Sequence, residues 1–534
     1  MRTLDVALVA TLAAIPVSAI AQSNRFQSDW PSYNRTLTSE RFSPLAAIDT
    51  TSVRTLKVVC SYDTRQMTAF QSGLVMADGA LFATTEHDTV SIDPNTCKEN
   101  WRVSEQFPNS FLGGQRGVAV ADGRVFRGAA DGHVYAYDEK TGRRLWSTQI
   151  ADQARGETVP AAPVTWQGLV FIGNAGGDNK GVKGRMYALD AETGRIVWEL
   201  YLVPRFPGDK ERGPQADGIS LQPSWQLASG SEITGGATWT SYTIDPETGL
   251  LYIPSGNPAP DFVRSMREGA NLFSGSIVVV DARTGAYRKH FELSPNDFHD
   301  WDASSAPVLF ATKADHRMMV TAPKDGHLYG YDLASGRRLY RVPLTTMTNV
   351  DVPLTPEGVR FCPGTQGGAE WNSPAYDPPH DAVITGQVDW CSTIHLDPES
   401  KVVAIPAGQP WTGSSRDGFG IQDDPSKWAG WVVSTDAASG ARRWTFKAPN
   451  PVLGAVTPTA GNVVLFGDMG GTFYALDAGT GAKLWSQDLG GAVSGGVVTY
   501  DTGAGQKVAV STGMTSKIWP TPKVTARIVV LGTE

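Results

Sequence analysis

The chain has few charged residues, few cysteines and no long hydrophobic run beyond its start. Charged residues make up only 19% of its 534 residues, and the formal net charge is −8. No cluster of basic residues interleaved with aromatic ones occurs. A nucleic-acid partner is therefore not expected, because phosphate binding needs a positive surface. No run of 18 or more apolar residues follows the N-terminal region, so we expect no membrane span.

The four cysteines are Cys60, Cys97, Cys362 and Cys391, and their spacing argues against two kinds of site. No C-x-x-C pair occurs, which disfavours a metal site on cysteine. No C-x-x-C-H occurs either, so we expect neither an attached c-type haem nor a built-in cytochrome domain. Three disulfide pairings are possible. We favour Cys60–Cys97 and Cys362–Cys391, because each pair lies within about one length of the sequence repeat described below.

Residues 1–21 have the features of a secretory signal peptide. Arg2 supplies a positive start, and residues 6–20 form an apolar run that is too short to span a membrane. Ala19-Ile20-Ala21 is a small-x-small cleavage site before Gln22. No cysteine follows the site, so a lipid anchor is not expected. We therefore expect a protein exported to the periplasm of a Gram-negative bacterium; the alternative is a buried N-terminal strand.

Glycine and tryptophan are abundant, with 57 and 16 residues, and one eleven-residue pattern recurs. The pattern is apolar-x-Asp-x-x-Thr/Ser-Gly-x-x-x-Trp. Its clean copies are 136–146, 188–198 and 475–485, and its weaker copies are 93–101, 245–252, 281–287, 332–340 and 436–444. Eight copies in 534 residues give roughly 67 residues each, which exceeds the about 40 to 50 residues of common propeller repeats. The excess is expected in loops, where sites are built.

Each copy predicts a turn between two strands. The Asp accepts hydrogen bonds from nearby backbone amides, the Gly adopts a positive φ, and the Trp begins the next strand. One repeat cannot bury that Trp, whereas a ring of repeats can. The sequence therefore predicts an all-β, eight-bladed β-propeller of four-stranded antiparallel blades, formed by residues 22–534 as a single domain. The alternative is an array of two-sheet β-sandwiches.

Three segments depart from the repeat. Residues 22–50 are an irregular lead-in, and residues 342–390 are rich in Pro, Gly and Asp and are expected to form an insertion. We expect the repeats to resume near Val402. The strand-like tail 524–531 is expected to pair with a strand near the N-terminus, because a ring must close.

Several polar residues outside the repeat turns are not needed by this fold. Asp178 and Asn179 lie in a Gly-rich loop, Asn257 lies in Ser255-Gly-Asn-Pro-Ala-Pro260, and Asp302 follows Trp301. The inner strands of all blades face one axis, so residues distant in sequence can meet there. Their oxygens are hard ligands that suit Ca²⁺. Each residue also has an ordinary explanation as a turn residue.

Arg116, Lys324 and Trp239 would suit an anionic, planar ligand at the same place. Arg116 and Lys324 each precede a strand and carry the charge that binds carboxylates. Trp239 lies outside the repeat turns and offers a flat surface. The alternatives are solvated turn charges for the two cations and a packing role for the tryptophan.

These motifs resemble those of the periplasmic quinoprotein alcohol dehydrogenases, which use pyrroloquinoline quinone (PQQ) with Ca²⁺ or a lanthanide. The likeness extends over residues 29–513, nearly the whole mature chain. The repeat turns resemble that family's tryptophan-docking motifs, the Asn257 loop its metal-binding loop, and Trp301-Asp302 its catalytic pair. Segments 235–239 and 361–371 resemble parts that surround the cofactor. The nearest subgroup resembles the polyvinyl alcohol dehydrogenase type.

The resemblance implies a role for each of these residues. Asp302 would be the general base and a metal ligand, together with Asn257 and either Asp178 or Asn179. Lys324 would bond the reactive quinone oxygens and support catalysis there. The other cofactor-binding residues would be Arg116, Thr158, Trp239, Glu370 and Trp371.

The chain departs from the family in two places. Some members stack a vicinal Cys-Cys disulfide on PQQ, but the matching stretch 107–115 has no cysteine. Lanthanide users carry an extra Asp two residues after the catalytic one. Ser304 holds that position here, so Ca²⁺ is the expected ion.

The sequence therefore predicts a PQQ- and Ca²⁺-dependent dehydrogenase that oxidises an alcohol and passes electrons to a separate cytochrome c. Loops 200–233 and 342–390 leave the substrate open among primary or secondary alcohols, polyols, sugars and a polymer. A non-enzymatic periplasmic scaffold for outer-membrane protein assembly would use similar repeats, but it needs neither the Asn257 nor the Asp302 motif. A glycan-binding or hydrolytic propeller with Asp178 and Asp302 as paired carboxylates would leave Arg116 unexplained.

Overall fold

The computed structural model describes residues 29–533, and β-strands dominate them. Most strands belong to eight four-stranded sheets, numbered here 1 to 8, in which all neighbours are antiparallel. The predicted all-β class with four-stranded antiparallel sheets is therefore confirmed. The predicted signal peptide, residues 1–21, lies outside the described residues. Among residues 29–533, no helix has both the length and the apolar character needed to cross a membrane.

Sheets 1 to 3 are each built from four consecutive strands. Sheet 1 contains Val75–Ala77, Ala80–Thr84, Asp88–Ile92 and Glu99–Ser104. Sheet 2 contains Ala119–Ala121, Arg124–Gly128, His133–Asp138 and Arg144–Gln149. Sheet 3 contains Val164–Trp166, Leu169–Gly173, Arg185–Asp190 and Ile196–Tyr201.

Sheets 4 to 7 follow in chain order. Sheet 4 contains Thr243–Asp245, Leu250–Ser255, Ser276–Asp281 and Tyr287–Glu292. Sheet 5 contains Val308–Ala311, Arg317–Thr321, His327–Asp332 and Arg338–Pro343. Sheet 6 contains Ala375–Asp377, Ala382–Asp389, Ala429–Asp436 and Arg442–Ala448. Sheet 7 contains Thr457–Thr459, Val463–Gly467, Thr472–Asp477 and Lys483–Asp488.

The remaining elements are short. Three small sheets join Gln226–Leu227 with Arg267–Glu268, Thr234–Gly235 with Pro258–Ala259, and Val359–Phe361 with Ser392–Ile394 and Ile421–Gln422. Within residues 29–533 the one α-helix is Glu399–Val403. The 3₁₀-helices are Ser52–Thr55, Gln153–Arg155, Gln222–Ser224, Arg264–Met266 and Pro425–Lys427.

Sheet 8 combines strands from both ends of the described chain. Its order is Lys57–Asp63, Arg527–Gly532, Gln506–Thr512 and Val493–Asp501. The predicted pairing of the tail with an early strand is confirmed, since Arg527–Gly532 lies antiparallel to Lys57–Asp63.

Both favoured disulfides, Cys60–Cys97 and Cys362–Cys391, are present. The first joins the early strand of sheet 8 to the turn that precedes the last strand of sheet 1. The second adjoins the paired strands Val359–Phe361 and Ser392–Ile394. Each therefore reinforces a pairing between strands or sheets.

The turn in sheet 2 shows how the repeat works. Asp138 accepts hydrogen bonds from the amide and the hydroxyl of Thr141, at 2.9 and 2.7 Å, and Gly142 has a φ of 70°. The predicted hydrogen bonds to the Asp and the predicted positive φ of the Gly are therefore confirmed in this turn. The ring of Trp101 in sheet 1 lies against Gly142, and its indole N–H donates to the carbonyl of Glu139 at 2.8 Å. The same bond to the next turn recurs from Trp146 to Ala191, from Trp198 to Ala282 and from Trp444 to Ala478.

The eight sequence copies do not correspond one to one with the eight sheets. The copy at 245–252 joins the first two strands of sheet 4, whose last two strands carry a second copy at 281–287. Sheet 8 has no copy, because its outer strand Lys57–Asp63 comes from the other end of the described chain and does not follow a turn.

The expected insertion at 342–390 is wrong in part. Ala375–Asp377 and Ala382–Asp389 are two strands of sheet 6. Their next partner, Ala429–Asp436, begins far along the chain, so no repeat turn marks them in the sequence. The strands do not resume near Val402 either, since Val402 lies in the α-helix.

Replacing Gly142 with alanine is expected to destabilise the protein more than replacing Gly123 does. Both glycines have positive φ, 70° and 71°, so each substitution costs about 1–2 kcal/mol of backbone strain. A Cβ on Gly142 would also lie 2.7 Å from the Trp101 ring, whereas a Cβ on Gly123 would meet nothing within 4 Å. The collision should cost roughly 1–3 kcal/mol more. Denaturant unfolding of both variants measures the difference, and equal losses would contradict a tight Trp101–Gly142 contact.

Candidate active site

Asn257 lies directly after the second strand of sheet 4, Leu250–Ser255. The pairing of Pro258–Ala259 with Thr234–Gly235 fixes its loop, and the amide of Gly236 donates to the Asn257 carbonyl at 2.9 Å. A Cβ on Gly256 would lie 2.6 Å from Oδ1 of Asp302. Glycine at this position therefore lets the loop approach that carboxylate.

Asp302 lies in the loop between sheets 4 and 5, and Asp297 fixes the shape of that loop. The Asp297 carboxylate accepts hydrogen bonds from the backbone amides of His299, at 3.2 Å, and Trp301, at 2.9 Å. Oδ1 of Asp302 accepts a hydrogen bond from the backbone N–H of Asn257 at 2.9 Å. Its Oδ2 accepts from Nζ of Lys324 at 3.0 Å. One buried carboxylate thus joins two loops and the lysine that follows the second strand of sheet 5.

Lys324 is 5% exposed, and its ammonium group also contacts Asp300 Oδ2 at 3.1 Å. Burial alone would lower the pKa of Lys324. The negative charges of Asp300, Asp302 and Glu370 instead raise that pKa well above its ordinary value. Lys324 is therefore a fixed positive charge between carboxylates.

Asp178, Asp261 and Asp300 form an acidic cluster whose nearest oxygens all lie within 4.8 Å of one another. Burial raises the pKa of Asp178 to about 6, with a further rise from Asp302, and burial also raises the pKa of Asp261 and Asp300 well above the ordinary range. Asp261 is fully buried, and neither of its carboxylate oxygens has a hydrogen-bond partner among the described residues. Burial first, and then the neighbouring carboxylates, therefore disfavour the charged forms of these three groups.

The side chain of Asn179 has a hydrogen-bond partner of its own. Its side-chain amide donates to the carbonyl of Gly156 at 2.9 Å. Of the two neighbours proposed as alternatives, the structure brings Asp178 to the other carboxylates.

A second group of predicted residues surrounds Arg116. Its guanidinium lies over the rings of Trp239, at 5.1 Å, and Trp371, at 4.3 Å, and also donates to Gln71. Burial lowers the pKa of Arg116 to about 10, although the charges of Tyr33 and Glu370 oppose the shift. A buried cation between two aromatic rings has the chemistry to bind a planar anion.

Glu370 connects the two groups. Burial raises its pKa to about 7, while Lys324 on one side and Arg116 on the other lower it. Its Oε1 has no hydrogen-bond partner among the described residues, and the neighbouring Ala369 carbonyl accepts from the Ser304 hydroxyl at 2.6 Å. All the predicted residues except Asn179 and Thr158 therefore contact or electrostatically affect at least one other member of the site.

Thr158 lies at the edge of the site. Its backbone pairs with Ala175, three residues before Asp178, through hydrogen bonds of 2.8 and 3.3 Å. The structure thus places Thr158 beside the Gly-rich loop and shows no side-chain contact for it with the other predicted residues.

Asp261, Asp300 and Arg267 escaped the sequence analysis. Asp261 directly follows the Asn-Pro-Ala-Pro motif, and Asp300 lies two residues before Asp302. Their position next to these two motifs is the sequence feature that could have identified them as candidate site residues. No signal marked Arg267, which is fully buried and donates to the carbonyls of Pro260, Asp261 and Asp297.

The site has features that suit both a metal ion and a planar cofactor. The two unpaired carboxylate oxygens of Asp261 suit a hard cation such as Ca²⁺. The buried Arg116 and its two aromatic neighbours suit a flat, anionic cofactor, and the unpaired Glu370 oxygen suits a hydrogen-bond donor on that cofactor. The residues present therefore fit both PQQ and Ca²⁺.

Comparisons with known proteins give consistent results. A family model for the PQQ-type β-propeller domain of glucose/ethanol/alcohol dehydrogenases matches residues 30–353. A second model, for the outer membrane protein assembly factor BamB, matches residues 429–526.

Two curated relatives are similar over almost the whole chain. Quinohemoprotein alcohol dehydrogenase ADH-IIG of Pseudomonas putida is 31% identical, over 96% of this chain and 78% of the relative. The dehydrogenase subunit of alcohol dehydrogenase (quinone) from Gluconobacter oxydans (strain 621H) is 31% identical, over 95% of this chain and 74% of the relative. A solved structure of ADHIIG from Pseudomonas putida HK5 superimposes with a TM-score of 0.83 at 25% identity, covering 97% of this chain and 82% of that one.

Proposed function

Because the chain belongs to the family of PQQ-dependent quinoprotein alcohol dehydrogenases, we propose that it oxidises alcohol groups to carbonyls with bound PQQ and Ca²⁺. The substrates proposed are primary or secondary alcohols, polyols, sugars or polyvinyl alcohol. One observation carries the proposal. The Asp302 carboxylate accepts hydrogen bonds from both the backbone N–H of Asn257 and the ammonium group of Lys324.

The fold that presents this site is proposed to be a closed eight-bladed propeller with docked tryptophans. Eight four-stranded sheets support it, as does the pairing of Arg527–Gly532 with Lys57–Asp63. The recurring bond from a tryptophan to the turn of the following sheet, as from Trp101 to Glu139, supports the docking.

The proposed Ca²⁺ ligands are Asp178, Asn257 and Asp302, with Asn179 the weaker alternative to Asp178. For PQQ, the Arg116 guanidinium is proposed to bind a carboxylate of the cofactor, and Trp239 to stack on its ring. The further proposed contacts are Thr158, Lys324, Glu370 and Trp371. Bound PQQ would supply a two-electron acceptor, polarised by Ca²⁺ as a Lewis acid.

The roles of the protein's own groups follow from their chemistry. Asp302 accepts the proton that the alcohol loses, as a general base. Lys324 would hold the quinone oxygen of bound PQQ by hydrogen bonds and would stabilise negative charge there, and its burial would strengthen that interaction. Glu370 and Arg116 would hold the PQQ ring in one orientation.

A separate cytochrome c is proposed as the electron acceptor, because the sequence contains no C-x-x-C-H motif for an attached haem. The periplasm is the proposed location. Its oxidising environment suits the disulfides Cys60–Cys97 and Cys362–Cys391.

Reconstitution tests the proposed activity. Purified protein given PQQ and CaCl₂ should acquire the cofactor's absorbance and oxidise an alcohol with an artificial dye, and omission of either component should leave only background activity. A panel of the proposed substrates then identifies the alcohol, and reduction of added cytochrome c tests the acceptor. Protein that neither binds PQQ nor oxidises any alcohol would contradict the proposal.

The same assay distinguishes the dehydrogenase from the second candidate function, which is a scaffold in outer-membrane protein assembly. The match of residues 429–526 to the BamB family model favours it. That segment contains none of the candidate site residues, from Arg116 to Trp371, and a scaffold would give neither PQQ absorbance nor turnover.

A further inference from the structure

We propose that Asp261 and Asp300 bind a hard cation together with Asp178, and that Asp261 is a direct ligand of that cation. The proposal deepens the metal centre of the proposed function, with which it shares Asp178. Neither Asp261 nor Asp300 belongs to the ligand set inferred above, and both lie in loops that already carry Asn257 and Asp302.

The geometry of the acidic cluster fits a single ion. One oxygen from each of the three carboxylates lies within 4.8 Å of the other two. Oxygen ligands of Ca²⁺ lie about 2.3–2.6 Å from the ion, so ligands on opposite sides are separated by up to roughly 5 Å. Three oxygens at the observed spacing can therefore share one cation.

The surroundings of the Asp261 carboxylate are those of a metal ligand and not those of a carboxylate with a purely structural role. Its side chain is fully buried, yet both carboxylate oxygens lack a hydrogen-bond donor among residues 29–533. The neighbouring Arg267 donates to the backbone carbonyl of Asp261 at 2.8 Å and leaves the carboxylate unpaired. An unpaired buried carboxylate is costly unless a cation compensates it.

The local balance of charge supports the same conclusion. Lys324 contacts Asp300 and Asp302, at 3.1 and 3.0 Å, so one ammonium group is divided between two carboxylates. Asp178 and Asp261 add two more carboxylates, and Arg267, the other cation near Asp261, donates to its backbone carbonyl and not to its carboxylate. A divalent cation at the cluster supplies the missing positive charge, and a higher count of charged ligands strengthens Ca²⁺ binding.

Calcium binding by the apoprotein tests the proposal without PQQ or alcohol. Protein treated with EDTA and then desalted is titrated with CaCl₂ by calorimetry, for the wild type and for Asp261→Asn, Asp300→Asn and Asp377→Asn. Asp377 is the matched control, because it is also fully buried with one unpaired carboxylate oxygen but contacts His380 at the end of a strand in sheet 6. We expect one Ca²⁺ per chain, an affinity about 100-fold lower in Asp261→Asn and Asp300→Asn, and no change in Asp377→Asn.

Thermal unfolding gives a second reading on the same variants. In EDTA, Asp261→Asn should be at least as stable as the wild type, because it removes an uncompensated buried charge. Calcium should raise the Tm of the wild type but raise that of Asp261→Asn much less. Wild-type apoprotein that binds no Ca²⁺, or Asp261→Asn and Asp300→Asn with wild-type affinity, would overturn the proposal.

The outcome is distinguishable from a failure of the proposed function. Ca²⁺ binding that depends on Asp261 in a protein that does not oxidise alcohols would uphold the cation site and refute the dehydrogenase. An active, PQQ-loaded enzyme whose Ca²⁺ affinity does not change when Asp261 or Asp300 is replaced would uphold the dehydrogenase and refute the cation site.

Discussion

Replacing Asp302 with asparagine should lower kcat by about a thousandfold, the middle of the range for loss of a general base, while PQQ remains bound. The amide has nearly the same shape as the carboxylate, and its oxygen can still accept the hydrogen bond from the Asn257 amide that Oδ1 accepts at 2.9 Å. It cannot accept the proton that the alcohol loses. The measurement is single-turnover and steady-state dye reduction with PQQ occupancy determined from absorbance, so that lost chemistry is separated from lost cofactor.

Asp377→Asn is the control for this experiment too, because it changes a buried Asp outside the site in the same way. It should leave kcat within about twofold of the wild type. Turnover near the wild-type rate in a fully loaded Asp302→Asn protein would remove Asp302 from the role of base. A drop in PQQ occupancy alone would instead assign it to cofactor or metal binding.

Replacing Arg267 with methionine should lower the free energy of unfolding by roughly 3–5 kcal/mol, because several buried acceptors lose their hydrogen-bond donor. The guanidinium is fully buried and donates to three backbone carbonyls, of Pro260, Asp261 and Asp297, at 3.0, 2.8 and 2.7 Å. It also donates to the side chain of Asn271 at 3.0 Å. Methionine fills the volume but leaves all four acceptors unsatisfied.

Arg264→Met is the matched control. Arg264 belongs to the neighbouring 3₁₀-helix, is exposed, and stacks on Phe298 at 4.5 Å. Its replacement should cost less than about 1 kcal/mol. Chemical denaturation of both variants without cofactor provides the comparison. Similar losses in the two proteins would show that the link between the Asn257 and Asp302 loops is not what Arg267 contributes.

The repeat turns could be predicted from the sequence because residues within a few positions of one another determine their structure. An Asp, a Thr or Ser and a Gly at fixed spacing define the turn at Asp138 without help from the rest of the chain. The two strands of sheet 6 within residues 375–389 were not found, because their partner begins only at Ala429. The early strand Lys57–Asp63 carries no repeat at all, so its place in sheet 8 depends on the far end of the chain.

The same distinction applies to the site. Asn257 and Asp302 stand in short motifs that can be recognised one at a time, and Lys324 precedes a strand of the repeat. Asp261 stands beside such a motif, but its importance depends on the absence of a partner for its carboxylate. An absence of that kind is a property of the packed molecule, which no residue pattern expresses.

The closing sheet also constrains when the molecule can finish folding. Lys57 pairs with Gly532, and the whole intervening chain must be synthesised before that contact can form. Closing so long a loop has an entropic cost, although each doubling of its length adds only about 0.6 kcal/mol. The strand Lys57–Asp63 therefore keeps an unpaired edge until Arg527–Gly532 has been synthesised. A sheet completed so late leaves the edge of Lys57–Asp63 open to pairing with other chains until synthesis is complete.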